Sequence, residues 1–484
     1  MMGFLKKFLG HGNARKSVSL GGMTPRRVTA KFDAAQTTAN NSNHWAEADN
    51  LSADAAASKS VRKILRARAR YEIENNSYAR GMVTTLADIT VGTGPKLQMR
   101  SNRKNTNKQI EDAWAAWSLE IGLAEHLRTM RMARAGDGEW FGWPIDNPKL
   151  DGPVKMDLRA VEADQVTDPA FDPHTAGDVD GIHFDEYGNP LFYTVLKQHP
   201  GGNDFQANTE FDKVPADVMM HYYRVNRAGQ HRGIPEITPA LPLFAQLRRF
   251  TLAVLSAAES AANFALVLQS DADANDESVA PDPLDEIELT RNMMTTMPAG
   301  WKLGQVDAEQ PTTTYSEFKN EILGEVARCL QIPKSIALGS SEGLNYSSGR
   351  LDHQSFFRSL EVDRCQIERE VLDRILSLWL RQFQLSRGAF RDVGAVPQHE
   401  WFWDGLLHVD PKKEADATNV RLHNLTTTHA SEFAKQGKDW EDEFEQIARE
   451  KEKMEELGIT LEDVSQANEI DEEEEEDEQD AAAA

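Results

Sequence analysis

A chain of 484 residues is too long for one simple core, so several subdomains are expected, and its 40% apolar content is that of an ordinary folded protein. Acids outnumber bases 78 to 53, a formal charge of −25, which disfavours sequence-specific DNA binding through a basic stripe but permits sliding past a polyanion. No run approaches the ~20 uncharged apolar residues of a membrane-spanning helix, and the two cysteines, Cys329 and Cys365, read as buried reduced thiols rather than a disulfide framework.

Residues 1–59 read as an N-terminal arm, rich in Ser, Asn, Thr, Gly and Ala and poor in periodicity. Lys6 and Lys7 interrupt the short apolar run at its start, and no small-residue cleavage site follows, so a signal peptide is not expected. From Val61 the pattern turns helical, with Arg62, Arg66, Arg68 and Arg70 interleaved with Ile64, Leu65 and Tyr71, and Val91-Gly92-Thr93-Gly94-Pro95 ends the block. A second helix is predicted over Asn107 to Glu120, placing Trp114 and Trp117 three apart on one face. Between 137 and 225, short apolar stretches punctuated by Asp, Pro and Gly predict strands and turns.

Leu241 to Leu268 returns to helix, with Leu243, Leu247, Phe250 and Val254 in one stripe and alanines at 257, 258, 261 and 262 offering a close-contact face. An acidic, Pro-containing loop follows at 270–283, then turn and strand near Trp301. Tyr315 to Leu330 is a further predicted helix, stopped by Pro333. Gly339 to Gly349 reads as a flexible Gly/Ser-rich loop. The longest helical pattern comes next, His353 to about Leu385, a rod of roughly 45–50 Å at ~1.5 Å per residue. Charged helices with a break near Gly437 fill Pro411 to Leu457. Ten of the acids lie in Glu469 to Asp480, yet the remaining acids still outnumber the 53 bases, so the body is acidic as well as the tail.

Catalytic signatures are sparse. Gly92-Thr93-Gly94 lacks the later glycine and no Gly-Lys-Ser/Thr occurs, which excludes a P-loop. The histidines are scattered, His-Glu-x-x-His is absent and two cysteines make no zinc finger, so neither a metal nor another cofactor is expected. The serine-hydrolase elbow is read as missing, with Gly339-Ser340-Ser341-Glu342-Gly343 its nearest approach and better explained as loop. His408-Val409-Asp410 could pair a base with its orienter, but Asp410-Pro411 more simply opens a helix. No catalytic residue is nominated.

Several segments, in order, resemble the lambda-like portal family of tailed bacteriophages. They are Arg66-x-Arg68-x-Arg70 through Asn75-Asn76-x-Tyr78-Ala79-x-Gly81 to Val91-Gly92-x-Gly94; Trp114-x-x-Trp117; and Gly138-Glu139-Trp140-Phe141. Further along stand Gln230-His231-Arg232-Gly233-Ile234-Pro235; Tyr346-Ser347-Ser348 with Arg350; Val409-Asp410-Pro411-Lys412-Lys413-Glu414-Ala415; and Gly437-Lys438-Asp439-Trp440. Each alone is a weak signal, and their number and order over roughly 60–460 make the match specific.

The resemblance implies an α+β, mainly helical portal fold of wing, stem, clip and crown, assembling as a homo-oligomeric dodecameric ring with an axial channel. It places a wing at 60–235, a stem helix at 236–265, a clip at 266–311 and a second stem helix at 312–335. A channel (tunnel) loop at 336–352, a long wing helix at 353–399, a crown at 400–460 and an acidic tail at 461–484 complete the chain. The implied role is a conduit for double-stranded DNA at one capsid vertex of the virion, assembled in the host cytoplasm. Implied partners are the terminase large subunit, the major capsid protein and scaffold, and head–tail connector proteins, with no membrane. Gly339, Gly343, Asn345, Tyr346, Ser348, Gly349 and Arg350 are the expected channel-loop residues near DNA. Arg62, Arg66, Arg68 and Arg70 are expected to bridge neighbouring subunits. The rival readings are a phage head-associated hydrolase or maturation protease, which needs a nucleophile and base, and another structural capsid or tail protein.

Overall fold

The computed structural model describes residues 42–169, 178–202, 210–263, 267–270, 301–304, 314–340, 346–387, 396–405 and 411–458. The chain divides into two compact units, Met1–Ser52 and Ala53–Ala484. In the first, the described stretch holds a turn in which His44 and Trp45 meet edge to face. All else concerns the second.

After a short α1 (Ala53–Ala56), the arginine-rich block forms two helices, α2 (Lys59–Asn75) and α3 (Ser77–Val91). Asn76 separates them: its backbone is extended, and its side-chain oxygen accepts from the Tyr78 and Ala79 amides, capping α3. Then come β1 (Lys96–Met99), α4 (Lys104–Glu120) and α5 (Leu123–Gly136). The predicted strand region holds β2 (Glu139–Asp146), β3 (Met156–Val161), β4 (Ile182–Phe184), β5 (Pro190–Leu196), β6 (Phe211–Pro215) and β7 (Met220–Tyr223). These make two antiparallel three-stranded sheets, ordered β3-β2-β7 and β4-β5-β6. Phe141, Val161, Ile182, Tyr193, Val195 and Val214 form one apolar core across both sheets.

Helix α6 spans Leu241–Asn263 and β8 (Val267–Ser270) pairs antiparallel with β9 (Trp301–Gly304). Leu268 therefore lies in a strand, beyond the helix predicted to include it. Helices α7 (Thr314–Cys329) and α8 (Lys334–Leu338) follow. A continuous rod then runs through α9 (Tyr346–Ile367), a π-helical stretch (Glu368–Leu372) and α10 (Asp373–Arg387). At ~1.5 Å per residue it is about 60 Å long, longer than predicted because it starts at Tyr346. Strand β10 (His399–Phe402) pairs with β1, and α11 (Pro411–His423), α12 (His429–Lys435) and α13 (Trp440–Leu457) close the described chain.

Two helical cores anchor the rod. Near its C-terminal half, Trp114 and Trp117 of α4 sit within 4.9 Å of each other, and Trp114 lies 5.4 Å from both Trp379 and Trp401. Near its N-terminal half, Phe356 and Leu360 join Met82, Val83, Leu86, Phe244, Leu247, Leu323 and Val326. Each such side chain contributes about 1.5–3 kcal/mol by leaving water. The α+β, mainly helical class stands. Both cysteines are free, but Cys365 is exposed and Cys329 only half-buried, contrary to the expectation of two buried thiols.

Candidate functional site

Three of the motif segments meet around one carboxylate. Glu139 opens β2 and has no exposure. Its two oxygens take the Arg232 fork, Nε at 3.0 and 2.9 Å and Nη2 at 2.7 Å, and the Gly233 amide at 2.8 Å. Arg66 Nη1 adds a contact at 3.3 Å, and His221 Nε2 lies 3.2 Å away. Arg232 also donates to the carbonyls of Val166 (3.0 Å), Ala163 (3.3 Å) and Asp180. The Asp180 carboxylate in turn binds Arg62 and accepts from Thr167 Oγ1 at 2.5 Å. Burial alone would raise the Glu139 pKa, yet Arg232 and His221 outweigh it and hold the carboxyl well below its usual range. Burial lowers the Arg62 pKa to about 10, helped by Arg232 nearby and opposed by Glu139 and Asp180.

The glycines of these segments allow the close approach. A Cβ on Gly233 would stand 2.5 Å from the Gly138 carbonyl carbon, and one on Gly138, whose φ is +90°, would stand 2.6 Å from Pro235 N.

A second network joins α5 to the rod. Arg131 binds Glu236 at 2.8 Å and Asp363 at 3.1 Å, and Arg134 binds the same two carboxylates at 2.9 and 3.0 Å. Arg134 further donates to Tyr222 Oη and Gln366 Oε1, and Gln366 donates to the Tyr223 carbonyl at 2.8 Å. Burial would raise the Glu236 pKa, but Arg131 and Arg134 bring it down to about 2. A third junction fastens the C-terminal helices: Asp404 accepts from the Thr93 amide (2.5 Å) and hydroxyl (2.8 Å), and Lys96 donates to the Gly437 carbonyl at 3.0 Å. Asp439 accepts from Gln98 at 2.6 Å.

The predicted site residues fall in two places. Arg62 and Arg66 are buried within a single chain, where the Nε of each has no hydrogen-bond partner, and Arg70 binds Asp137 at 2.6 Å and Asp164 at 2.9 Å. Each of the three pairs with carboxylates of its own chain: Arg62 with Asp180, Arg66 with Glu139 and Asp164, and Arg70 with Asp137, Asp164 and Glu162. Arg68 points outward from α2 and is exposed. In the expected channel loop, Gly339 adopts the left-handed conformation that ends α8, with φ +62°. Gly343 and Asn345 lie outside the described residues. The backbone of Tyr346, Ser348, Gly349 and Arg350 forms the first turns of α9, so the predicted loop ends by residue 345.

Ser341 does stand two residues from both Gly339 and Gly343, so the segment has the Gly-x-Ser-x-Gly spacing that was read as missing. The elbow requires a preceding strand, and here the preceding element is helix α8. Glu162, Asp164 and His199 bring ligand atoms within 4.8 Å of one another, and the Arg70 guanidinium already supplies the cation to both carboxylates. Among the described residues, no helix is long and apolar enough to cross a membrane.

A family model described as "Phage portal protein, lambda family" matches residues 39–364. The chain belongs to that family. It is 24% identical over 293 residues to the probable portal protein of Halomonas phage phiHAP-1, covering 58% of this chain and 56% of that protein. To the portal protein of Escherichia phage N15 it is 23% identical over 452 residues, covering 79% and 83% respectively. The chain thus matches little more than half the length of the first of these relatives. Among solved structures, the neck of a native gene transfer agent particle computed with C12 symmetry is similar at 12% identity and TM-score 0.46, covering 77% of this chain and 92% of that one. The virion of a native gene transfer agent particle is similar at 13% identity and TM-score 0.45, with the same coverage.

Proposed function

We propose that this chain is a structural ring subunit of a phage portal, forming the DNA channel at one capsid vertex, and not an enzyme. The observation that carries this reading is the portal family match over residues 39–364, a span in which three motif segments converge on the Glu139–Arg232 junction. The formal charge of −25 supports it, because a conduit must let duplex pass, and each phosphate neutralised adds affinity that movement must break. In this reading the copies form a dodecamer, receive the terminase large subunit during packaging and later the head–tail connector, and contact the major capsid protein and scaffold.

The subdomain assignment follows the same reading. Residues 60–235 form the wing, 236–265 and 312–335 the stem, 266–311 the clip and 400–460 the crown. The wing helix at 353–399 gains the turns from Tyr346, within the segment 336–352 assigned to the channel loop, of which Gly343 and Asn345 lie outside the described residues. Arg68 remains a candidate inter-subunit contact.

The test is negative-stain imaging of the purified full chain. Rings with an axial hole are expected; monomers, closed shells or tubes would overturn the reading.

A further inference from the structure

Strand β10 and the residue after it turn every second side chain toward the rod, and each presents a ring nitrogen to a carboxylate. His399 Nε2 lies 3.1 Å from Asp373 Oδ1, Trp401 Nε1 donates to the same oxygen at 2.9 Å, and Trp403 Nε1 donates to Glu368 Oε1 at 2.6 Å. The two carboxylates are five residues apart, about 1.4 turns of an α-helix, a spacing that would set them on different sides of the rod. The π-helical stretch removes that offset. The Asp373 amide donates to the Glu368 carbonyl, the i to i+5 bond of that geometry, so both carboxylates face the strand.

A second contact fixes the charge state of His399. Its Nδ1 lies 2.9 Å from the Pro397 carbonyl, so both ring nitrogens address oxygens that only accept. A neutral imidazole carries one N–H and satisfies one of the two; the imidazolium satisfies both. The bond to Asp373 raises the His399 pKa above its ordinary 6.5 against the opposing effect of burial, and Pro397 and Glu368 add to the rise. Burial would raise the Asp373 pKa, yet the bonds from His399 and Trp401 bring it down, so the acceptor is ionised. The other charges near the ring are few. Strand β1 sets Met99 opposite His399, Glu400 on the other face of β10 is held by Arg100 at 2.5 Å, and Arg364 stands 5.3 Å from the centre of the Trp403 ring.

Strand β10 also carries the junction to the C-terminal helices. It pairs with β1, whose Lys96 and Gln98 hold Gly437 and Asp439, and Asp404 just beyond it accepts from Thr93. We propose that His399 is a proton-operated latch: charged, it clamps β10 to the rod through Asp373, and on losing its proton it releases the strand and slackens the hold on the C-terminal helices. The latch lies within one chain and operates whether or not copies assemble. Because folding raises the His399 pKa, the clamp is at full strength below 6.5 and fades as pH climbs through the raised value.

Amide hydrogen exchange of the full chain tests it, read by mass spectrometry at half-unit steps from pH 6 to 8.5 and corrected for the intrinsic pH dependence of exchange. Segment 397–404 is expected to lose about fivefold or more of its protection, with the loss centred above pH 6.5, while 375–383 in α10 keeps its own. Protection that does not change, or a loss centred below 6.5, would overturn the latch in the unaltered chain alone. His399→Gln, neutral throughout, is expected to be weakly protected over 397–404 at every pH, with 375–383 reporting that it folds. Asp373→Asn leaves Trp401 an acceptor but removes the charge, and the centre of the loss is expected to move down. A pH step that persists in His399→Gln, or a centre unmoved in Asp373→Asn, would assign the change to another group and overturn the proposal.

Discussion

Arg232 holds both carboxylate oxygens of Glu139 in a fork, and neither side chain has any solvent exposure. The pair joins the start of β2 to the segment leading into α6, and Arg66 brings α2 to the same point. Removing one partner of such a pair leaves an uncompensated charge in the interior, which costs far more than the pair itself contributes. We expect Glu139→Gln to destabilise the protein by about 3–5 kcal/mol, because Arg232 and Arg66 keep their charges. Urea unfolding followed by far-ultraviolet circular dichroism measures this; a loss under about 1 kcal/mol would show that the network is solvated.

Acid should weaken the link between α5 and the rod. Glu236 has its pKa lowered to about 2 by Arg131 and Arg134 against the opposing effect of burial. A group depressed in the folded state contributes stability that is present above its unfolded value, near 4.5, and lost as pH falls through the folded one. The window is therefore about pH 4.5 down to 2, and the contribution is on the order of 3 kcal/mol at neutral pH. Glu139, depressed in the same direction, adds to the slope. Denaturant midpoints taken every half unit from pH 6 to 2 check this. Glu236→Gln should be less stable than the unaltered chain at pH 7, and the difference between them should shrink toward pH 2. Parallel curves would refute the assignment.

What the sequence disclosed was mostly local. The strand-rich stretch, the Trp114/Trp117 face, the helix stopped by Pro333 and the rod stripe from Phe356 to Phe383 all follow from periodicity within a few turns of chain. Helix α5 was not foreseen, because Arg128, Arg131 and Arg134 interrupt its apolar positions Leu123, Leu127 and Met130. Arg131 and Arg134 turn inward only because Glu236 and Asp363 arrive from far along the chain, 102 residues away for Arg134 and Glu236. The pairing of β1 with β10 and the burial of Arg62 and Arg66 escaped for the same reason. Within the expected channel loop, the Gly/Ser composition masked a helix start at Tyr346, where a single glycine costs only about 1 kcal/mol of helix propensity.

That helix start can be tested at Gly349. The residue lies in the opening turns of α9, and an added Cβ would meet nothing within 4 Å. In a helix, Gly349→Ala removes the entropic cost of ordering glycine, and we expect a gain of about 0.5–1 kcal/mol. Were 349 a hinge of a mobile loop, the same change would give no gain. Melting temperature distinguishes the two, a rise of at least one degree being expected.

Gly233 should behave in the opposite way. Its neighbour is not open space but the backbone of Gly138, with the Gly138 carbonyl carbon 2.5 Å and Glu139 Cβ 2.8 Å from where a Cβ would stand. Backbone cannot swing aside as the end of a flexible side chain can, so relief requires parting β2 from the strand-to-α6 connection. That separation would also draw the Gly233 amide off Glu139, now 2.8 Å away, and loosen the Arg232 fork beside it. We expect Gly233→Ala to cost about 3 kcal/mol or more, combining overpacking with the weakened buried pair. The combined Gly233→Ala/Glu139→Gln chain separates the two contributions: if both act through the same junction, its loss in urea unfolding falls clearly short of the two single losses added together. Full additivity would mean that the glycine contact and the ion pair stabilise the protein independently.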